Sequence, residues 1–583
     1  MPNLAAKPRM AMKKICSLIV CLAVSAVLIQ YRVWHIKGTD LKVTTWDALG
    51  YYLYLPSTFI YHDATQLKWL PAVEDKYKIL QGGNYPATKE ANGNYVYKYL
   101  GGVAIMESPF FMLARVIARK TGYADDGFSP PFQYAIVLGA LFYCIVAIFL
   151  LRSILLLYFD DGVTGVTILL LCLATNFVQY AAVDSAMSHG FIFFLYAAVL
   201  YTTVKWHRQP KMIWAILTGY ITGLATISRP TEAIMVLIPL LWGTHTKEAA
   251  KEKWQMVKQH RSHIYMAAAG GLLGILPQLI YWKVASGSVI YDVGSAWDFL
   301  TPHFRVLFGW EKGWFIYTPV TLLFVTGLFF VRNYPFRKAV LWFCLLNIYI
   351  IISWHEWRYA ASYSTRALVQ SYPVFALPFA TLVNEVNKNK WRWLFFAAGT
   401  YLIFVNLFQV RQYNSGVLHY DDMNRLYYSH IYLKAHPKPI DMSLMDTDEY
   451  LDNEDGYQNR GIAVASGTSV HADGNGTAVL LDTSLAGTDT GGKDMWLRIE
   501  SDIKVDKGMW QSYMNAELTQ GDSLKHNRVR LFNAISPEGK MNRYAFYMKV
   551  PAYFHNSRLK LYLSAYTELS AEAGDINVSI LTK

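Results

Sequence analysis

Charge is what this chain has least of. Of its 583 residues only 16% are Asp, Glu, Lys or Arg, where a soluble protein carries about 25%. The shortfall is concentrated before residue 415. Cysteine is scarce as well: Cys16, Cys21, Cys144, Cys172 and Cys344 all lie in apolar stretches. None falls in the polar C-terminal part, which excludes a disulfide framework or a thiolate-held metal there. There is no Gly-rich phosphate loop after a strand, no His-Glu-x-x-His, no nucleophile elbow and no Cys pair. Those absences argue against a nucleotide-dependent enzyme, so any group to be transferred would come from a membrane-borne donor. No basic and aromatic face recurs in a soluble segment, so the net charge of +12 does not point to nucleic acid.

What is present is apolar length. Hydrophobic residues make up 53% of the chain and aromatics 15%, and a membrane span needs roughly 20 apolar residues. About eleven spans are expected, near 15–30, 132–151, 163–181, 189–204, 212–227, 233–242, 264–282, 314–331, 339–353, 372–382 and 393–410. The sixth and tenth are short. Basic residues collect at the N-terminus (Lys7, Arg9, Lys13, Lys14) and in four loops: Lys205/Arg208/Lys211, Lys247 to Arg261, Arg332/Arg337/Lys338 and Lys388/Lys390/Arg392. With eleven spans all five clusters share one side, which the positive-inside rule makes the cytoplasm. Asp160-Asp161 interrupts that pattern, though acidic residues weigh little in the rule. Ala23-Val24-Ser25-Ala26 loosely resembles a signal-cleavage site, but apolar residues continue past it and the topology needs this span, so an uncleaved anchor is expected.

The expected fold is therefore a polytopic α-helical membrane protein with a C-terminal extracytoplasmic β-sandwich, residues 1–430 and 431–583. The first outer loop, 32–131, is too long for a connector. Two partly apolar stretches in it, 46–61 and 100–118, suit interfacial helices, with turns at Gly82-Gly83-Asn84 and Asn92-Gly93-Asn94 between them. Further outer loops run over 283–313 and 354–371. From about residue 441, turn-rich clusters separate alternating runs at 495–503, 528–532, 544–550, 559–565 and 576–581, the pattern of an antiparallel sandwich. That part has no catalytic constellation; binding, or packing over the outer loops, is its expected role.

Charged groups held at a membrane face are a functional signal. On the outer side stand Asp47, Lys98, Glu107, Asp184, His189, Arg229, Glu232, Asp292, Lys312, Glu356, Arg358 and Arg366. Transfer from a lipid phosphate needs both signs: a carboxylate to take the proton of the incoming hydroxyl, and cations to stabilise the departing phosphate. A purely structural part is open to each. Asp47 sits in Thr44-Thr45-Trp46-Asp47, which reads as a helix start. Glu107 has Lys98 or Arg115 as pairing candidates. Asp184 and His189 flank a turn, Arg229 could snorkel to the interface, and Arg366 has a phosphate as its natural partner.

Read in order, these motifs resemble the GT-C superfamily of integral-membrane glycosyltransferases, which contains protein O-mannosyltransferases and aminoarabinose–lipid A transferase. The resemblance covers about 430 residues. It rests on Asp47 after the first span, Lys98-Tyr99 to Pro109, Ala174-Thr175-Asn176 and Met187-Ser188-His189. It continues in Ser228-Arg229-Pro230-Thr231, Gly313-Trp314 before Thr318-Pro319, Trp354 to Arg366, and Gly416 to Asp421. The resemblance implies a polyprenyl-phosphate sugar donor and a glycan, glycolipid or protein acceptor outside the bacterial cytoplasmic (inner) membrane. It gives Asp47 the part of base, and Arg366, with Lys98 or Arg229, the part of phosphate holder. Many relatives carry an acidic pair where Asp47 is followed by Ala48. Some use a divalent metal and others none, and no ligand set here favours either. Two rivals remain at this level: a lipid or glycolipid transporter, against which stands the absence of an inverted repeat, and a glycan- or protein-binding sandwich on a membrane anchor.

Overall fold

The computed structural model describes residues 14–38, 41–81, 85–465, 468–472, 476–485 and 494–583. The expected turn at Gly82-Gly83-Asn84 and the basic Lys7, Arg9 and Lys13 lie outside them. The chain divides into two compact units, Met1–Val410 and Arg411–Lys583.

The first unit is helical. Among the described residues, four helices are long and apolar enough to cross a membrane: Cys16–Ile36, Pro130–Leu155, Arg261–Ser286 and Arg392–Asn414. Several other expected spans are broken into shorter pieces, for local reasons. The 163–181 stretch is a helix over Asp161–Leu173 followed by a single π turn, Gln179–Val183. The 314–331 stretch is divided into Trp314–Tyr317 and Thr321–Gly327, with Pro319 between them, where the ring removes a donor and clashes with the preceding turn. The 233–242 stretch opens as a 3₁₀ turn from Pro230 and continues as Leu237–Leu241.

Close approach of helices is bought with small residues. Met212–Thr226 lies against Arg261–Ser286 so tightly that a Cβ on Gly219 would stand 1.8 Å from the Ala267 carbonyl oxygen. A Cβ on Gly223 would stand 2.2 Å from that of Gly271. This is the small-xxx-small contact that lets backbones touch in membrane helices.

The first long loop is ordered as its apolar stretches predict. Short helices span Trp46–Tyr52 and Tyr54–Phe59, and a longer one Gly102–Thr121. Between them a two-stranded hairpin, β1 (Ala87–Lys89) and β2 (Tyr95–Tyr97), closes around Gly93 at φ +84°. Leu49, Tyr52, Phe111, Phe128 and Phe132 form the shared core of these pieces.

Among the described residues of the second unit, short helices at Arg425–Ile431 and Pro439–Ser443 precede nine strands. These are β3 (Gln458–Ala465), β4 (Thr468–Ala472), β5 (Thr477–Ser484), β6 (Met495–Lys507), β7 (Ser512–Gln520), β8 (Ser523–Arg530), β9 (Met541–Val550), β10 (Arg558–Ala565) and β11 (Leu569–Thr582). One antiparallel sheet has the order β5-β10-β7-β8; the other runs β3-β11-β6-β9, with β4 also paired to β11. Strand alternation explains the burial: Leu559, Leu561, Leu563 and Ala565 of β10 point inward and the residues between them outward. They join Leu497 and Ile499 of the other sheet in one apolar core. Each expected strand overlaps one of these, the 528–532 run only as far as Arg530.

Candidate functional site

Asp47 is the second residue of the Trp46–Tyr52 helix, which begins with Trp46 in the left-handed region at φ +48°. One turn on, Gly50 has no side chain, and the ring of Tyr99 occupies the space. A Cβ on Gly50 would meet Tyr99 Cδ2 at 2.0 Å. The ring also packs on Tyr51, with centroids 4.8 Å apart. So placed, the Tyr99 hydroxyl donates to Asp47 Oδ1 at 2.6 Å. Burial, then the Asp47 charge, pushes the Tyr99 hydroxyl well above its ordinary pKa, so it stays a donor.

The other carboxylate oxygen faces Arg366, whose Nη2 lies 2.9 Å from Asp47 Oδ2. The two side chains are 11% and 24% exposed, Arg366 the more buried. Burial pulls the guanidinium down, but the Asp47 charge, together with Tyr180, Tyr51 and Tyr99, holds Arg366 above its usual pKa. The segment before Arg366 is a constrained loop, with Tyr359, Ala360 and Ser364 at φ +55°, +50° and +54°. Non-glycine residues hold that conformation only where surroundings enforce it. Here the Lys312 ammonium donates to the carbonyls of Arg358, at 2.8 Å, and of Ala360. The Thr365 hydroxyl donates to the Val306 carbonyl at 2.7 Å.

A second polar group stands opposite. Gln370, buried, accepts at Oε1 from His189 Nδ1 at 3.0 Å and from Arg229 Nη1 at 3.4 Å. Its Nε2 donates to the buried carboxylate of Glu232 at 2.5 Å, which also accepts from the Tyr196 hydroxyl. Gln370, His189 and Arg229 border one cavity of about 350 Å³ with Asp47, Tyr99 and Arg366, together with Lys98, Tyr51, Trp297, Trp354 and Glu356.

The structure thus gathers Asp47, Lys98, His189, Arg229 and Arg366 around one space, and leaves Glu107 and Asp184 off its lining. Glu107 pairs with neither expected partner. Both its oxygens are buried without a hydrogen-bond partner, and burial raises its pKa far above the carboxylate range. Arg115 instead forks Asp125, at 3.1 and 3.2 Å. Asp184 accepts from Gln179 Nε2 at 3.0 Å, and burial raises its pKa too. Arg366 meets the Asp47 carboxylate of the same chain. Tyr99 and Gln370 are functional groups that charge-based reading passes over, because neither is ionised. The signal for Tyr99 is its place beside Lys98; Gln370 has none.

Among the described residues no group of three or more His, Cys, Asp or Glu could hold a metal ion.

No protein-family model and no curated protein matches the chain. By structure it is similar to ArnT from Cupriavidus metallidurans in the apo state, with TM-score 0.39 and 12% identity. That likeness covers 72% of this chain and 66% of the other. It is also similar to the arabinosyltransferase EmbB from Mycobacterium smegmatis, with TM-score 0.34 and 10% identity, over 96% of this chain and 64% of that one. The chain thus spans just under two thirds of the length of either solved protein. Both scores lie below 0.5, and the functional reading rests on the cavity.

Proposed function

We propose that this protein is a GT-C-type membrane glycosyltransferase that moves a sugar from a polyprenyl-phosphate-linked donor to a hydroxyl acceptor. The observation that carries the reading is a carboxylate, Asp47, held between a phenol donor and a guanidinium in a cavity that also presents Arg229, His189 and Lys98. Asp47 takes the proton of the acceptor hydroxyl. The hydroxyl oxygen bonds to the anomeric carbon from the side opposite the phosphate. The bond from that carbon to the phosphate oxygen breaks, and its electron pair leaves on the phosphate. Arg366, Arg229 and Lys98 stabilise the charge that develops there. Configuration at the anomeric carbon inverts.

In this reading about eleven passes cross the inner membrane, several as paired short helices. The cavity faces the extracytoplasmic side, and residues 1–430 form the transferase domain. Residues 431–583 are an extracytoplasmic β-sandwich that binds a glycan or a protein partner. Glu107 and Asp184 act on substrate only indirectly, through the elements that carry the site. The acceptor is a glycan, a glycolipid or a protein.

The test is mass spectrometry of envelope glycans and glycoproteins in a deletion strain complemented with wild type or Asp47→Asn. Loss of a general base lowers turnover by roughly 10²–10⁴-fold. The expected result is a sugar restored by wild type and absent with Asp47→Asn at equal membrane levels. Near-normal product from Asp47→Asn removes Asp47 as the base. An identical profile in all strains, with lipid movement across proteoliposomes, replaces transfer by transport.

A further inference from the structure

A second cavity, of about 420 Å³, lies between the Ser188–Arg208, Met212–Thr226, Lys247–Gln259 and Arg261–Ser286 helices. It shares no residue with the first. Its walls are small and apolar, and its size falls within the roughly 300–1,000 Å³ typical of small-molecule sites. Gly219 against Ala267 and Gly223 against Gly271 show that the two long walls run in the same direction. One end therefore collects the chain segments around residues 206, 215, 253 and 264, and the other those around 226 and 275.

At the first end stands Lys253, only 6% exposed. Its ammonium donates to the carbonyls of Pro239, at 2.8 Å, and Leu240, at 2.5 Å. Among the described residues no carboxylate faces it. Burial lowers this ammonium to about 8, the cost of a cation without a counter-ion. An ammonium has three N–H donors, so one remains after the two carbonyls. The same end carries Lys205, Arg208 and Lys211. Beside the cavity, Leu272 and Leu273 of the Arg261–Ser286 helix are each 59% exposed, an apolar flank suited to acyl chains.

An apolar chamber that ends at a buried cation without an anion matches an anionic amphiphile. We propose that this cavity binds one anionic phospholipid, drawn from the leaflet on its basic side. One acyl chain fills the cavity bordered by the Ser188–Arg208, Met212–Thr226, Lys247–Gln259 and Arg261–Ser286 helices, and the phosphate pairs with Lys253. Anionic lipids are attracted to polybasic faces, and here the attraction has a fixed endpoint. The site does not depend on the sugar-transfer reading: a donor phosphate would sit among Arg229 and Arg366, in the other cavity.

The experiment is native mass spectrometry of the full chain in detergent, titrated with dioleoyl phosphatidylglycerol or dioleoyl phosphatidylcholine. One phosphatidylglycerol per chain is expected to bind, in preference to the choline lipid. Lys253→Met should weaken it about tenfold, the order of one charge-assisted hydrogen bond, and Lys253→Arg should retain it. Ala268→Trp fills the chamber, leaves Lys253 in place, and should abolish binding with the melting temperature kept. Equal binding of the two lipids, or unchanged preference in Lys253→Met, overturns the proposal. Saturable binding of oleate or a polyprenyl phosphate, with none of phosphatidylglycerol, overturns the choice of lipid.

Discussion

Asp47 is held by two neighbours that do different work. Arg366 balances its charge, whereas the Tyr99 hydroxyl fixes its orientation through a 2.6 Å hydrogen bond. Removing that hydroxyl leaves charge and packing intact, so Tyr99→Phe should lower kcat about tenfold with little change in KM. That is the scale of one hydrogen bond to a charged group, and steady-state kinetics on purified enzyme measure it. Glu107 poses the opposite case, a carboxyl that burial keeps from ionising. Its folded-state pKa lies above the unfolded value, so its stabilising contribution is full below the unfolded pKa. That contribution is lost as pH rises toward the folded value. Glu107→Gln should therefore melt higher than wild type at pH 8, with the gap closing at acid pH; thermal unfolding at several pH values reads this directly. Asp47, Lys98, His189, Arg229 and Arg366 were legible because an ion at a membrane face stands out against apolar sequence. Gln370 was not, since a neutral amide leaves no such mark, and its part is set by three groups distant from it in sequence.

At the scale of elements, the site depends on a helix that carries a gap. The seven-residue Trp46–Tyr52 helix presents Gly50 to the Tyr99 ring. Gly50→Ala places a methyl inside that ring's present position, and overpacking of this kind costs about 1–3 kcal/mol. Because the ring must shift, Gly50→Ala should lose turnover to the level of Tyr99→Phe. The double variant should then lose little more, since residues in contact do not add; a double-mutant kinetic cycle tests the coupling. Strands show where element reading stops. β6, β9, β10 and β11 alternate apolar and polar residues and were expected. β5 (Thr-Ala-Val-Leu-Leu-Asp-Thr-Ser) and β7 (Ser-Tyr-Met-Asn-Ala-Glu-Leu-Thr-Gln) carry too much polarity to announce themselves. Pairing on both sides of β10 supplies what their composition lacks. One broken stretch has a parallel cause: Pro319 interrupts residues 314–331, whose hydropathy alone reads as continuous.

At the scale of the molecule, the two units have separate stabilising logic. The second has its own apolar core and internal ion pairs, including Arg530, whose guanidinium reaches Asp446 at 2.7 Å. A fragment of residues 415–583 should fold alone as a soluble β-rich protein. Circular dichroism and a single cooperative melt would show it, and an aggregated or unstructured fragment would tie its fold to the first unit.

The pair at the heart of the cavity joins residues 319 positions apart in sequence. During synthesis the carboxylate emerges early and its guanidinium late, after nearly every apolar helix of the first unit has been made. A nascent chain halted anywhere before residue 366 therefore holds Asp47 without the guanidinium that meets its Oδ2. On the proposed reading, transfer begins only once residue 366 is in place, and unfinished copies are silent.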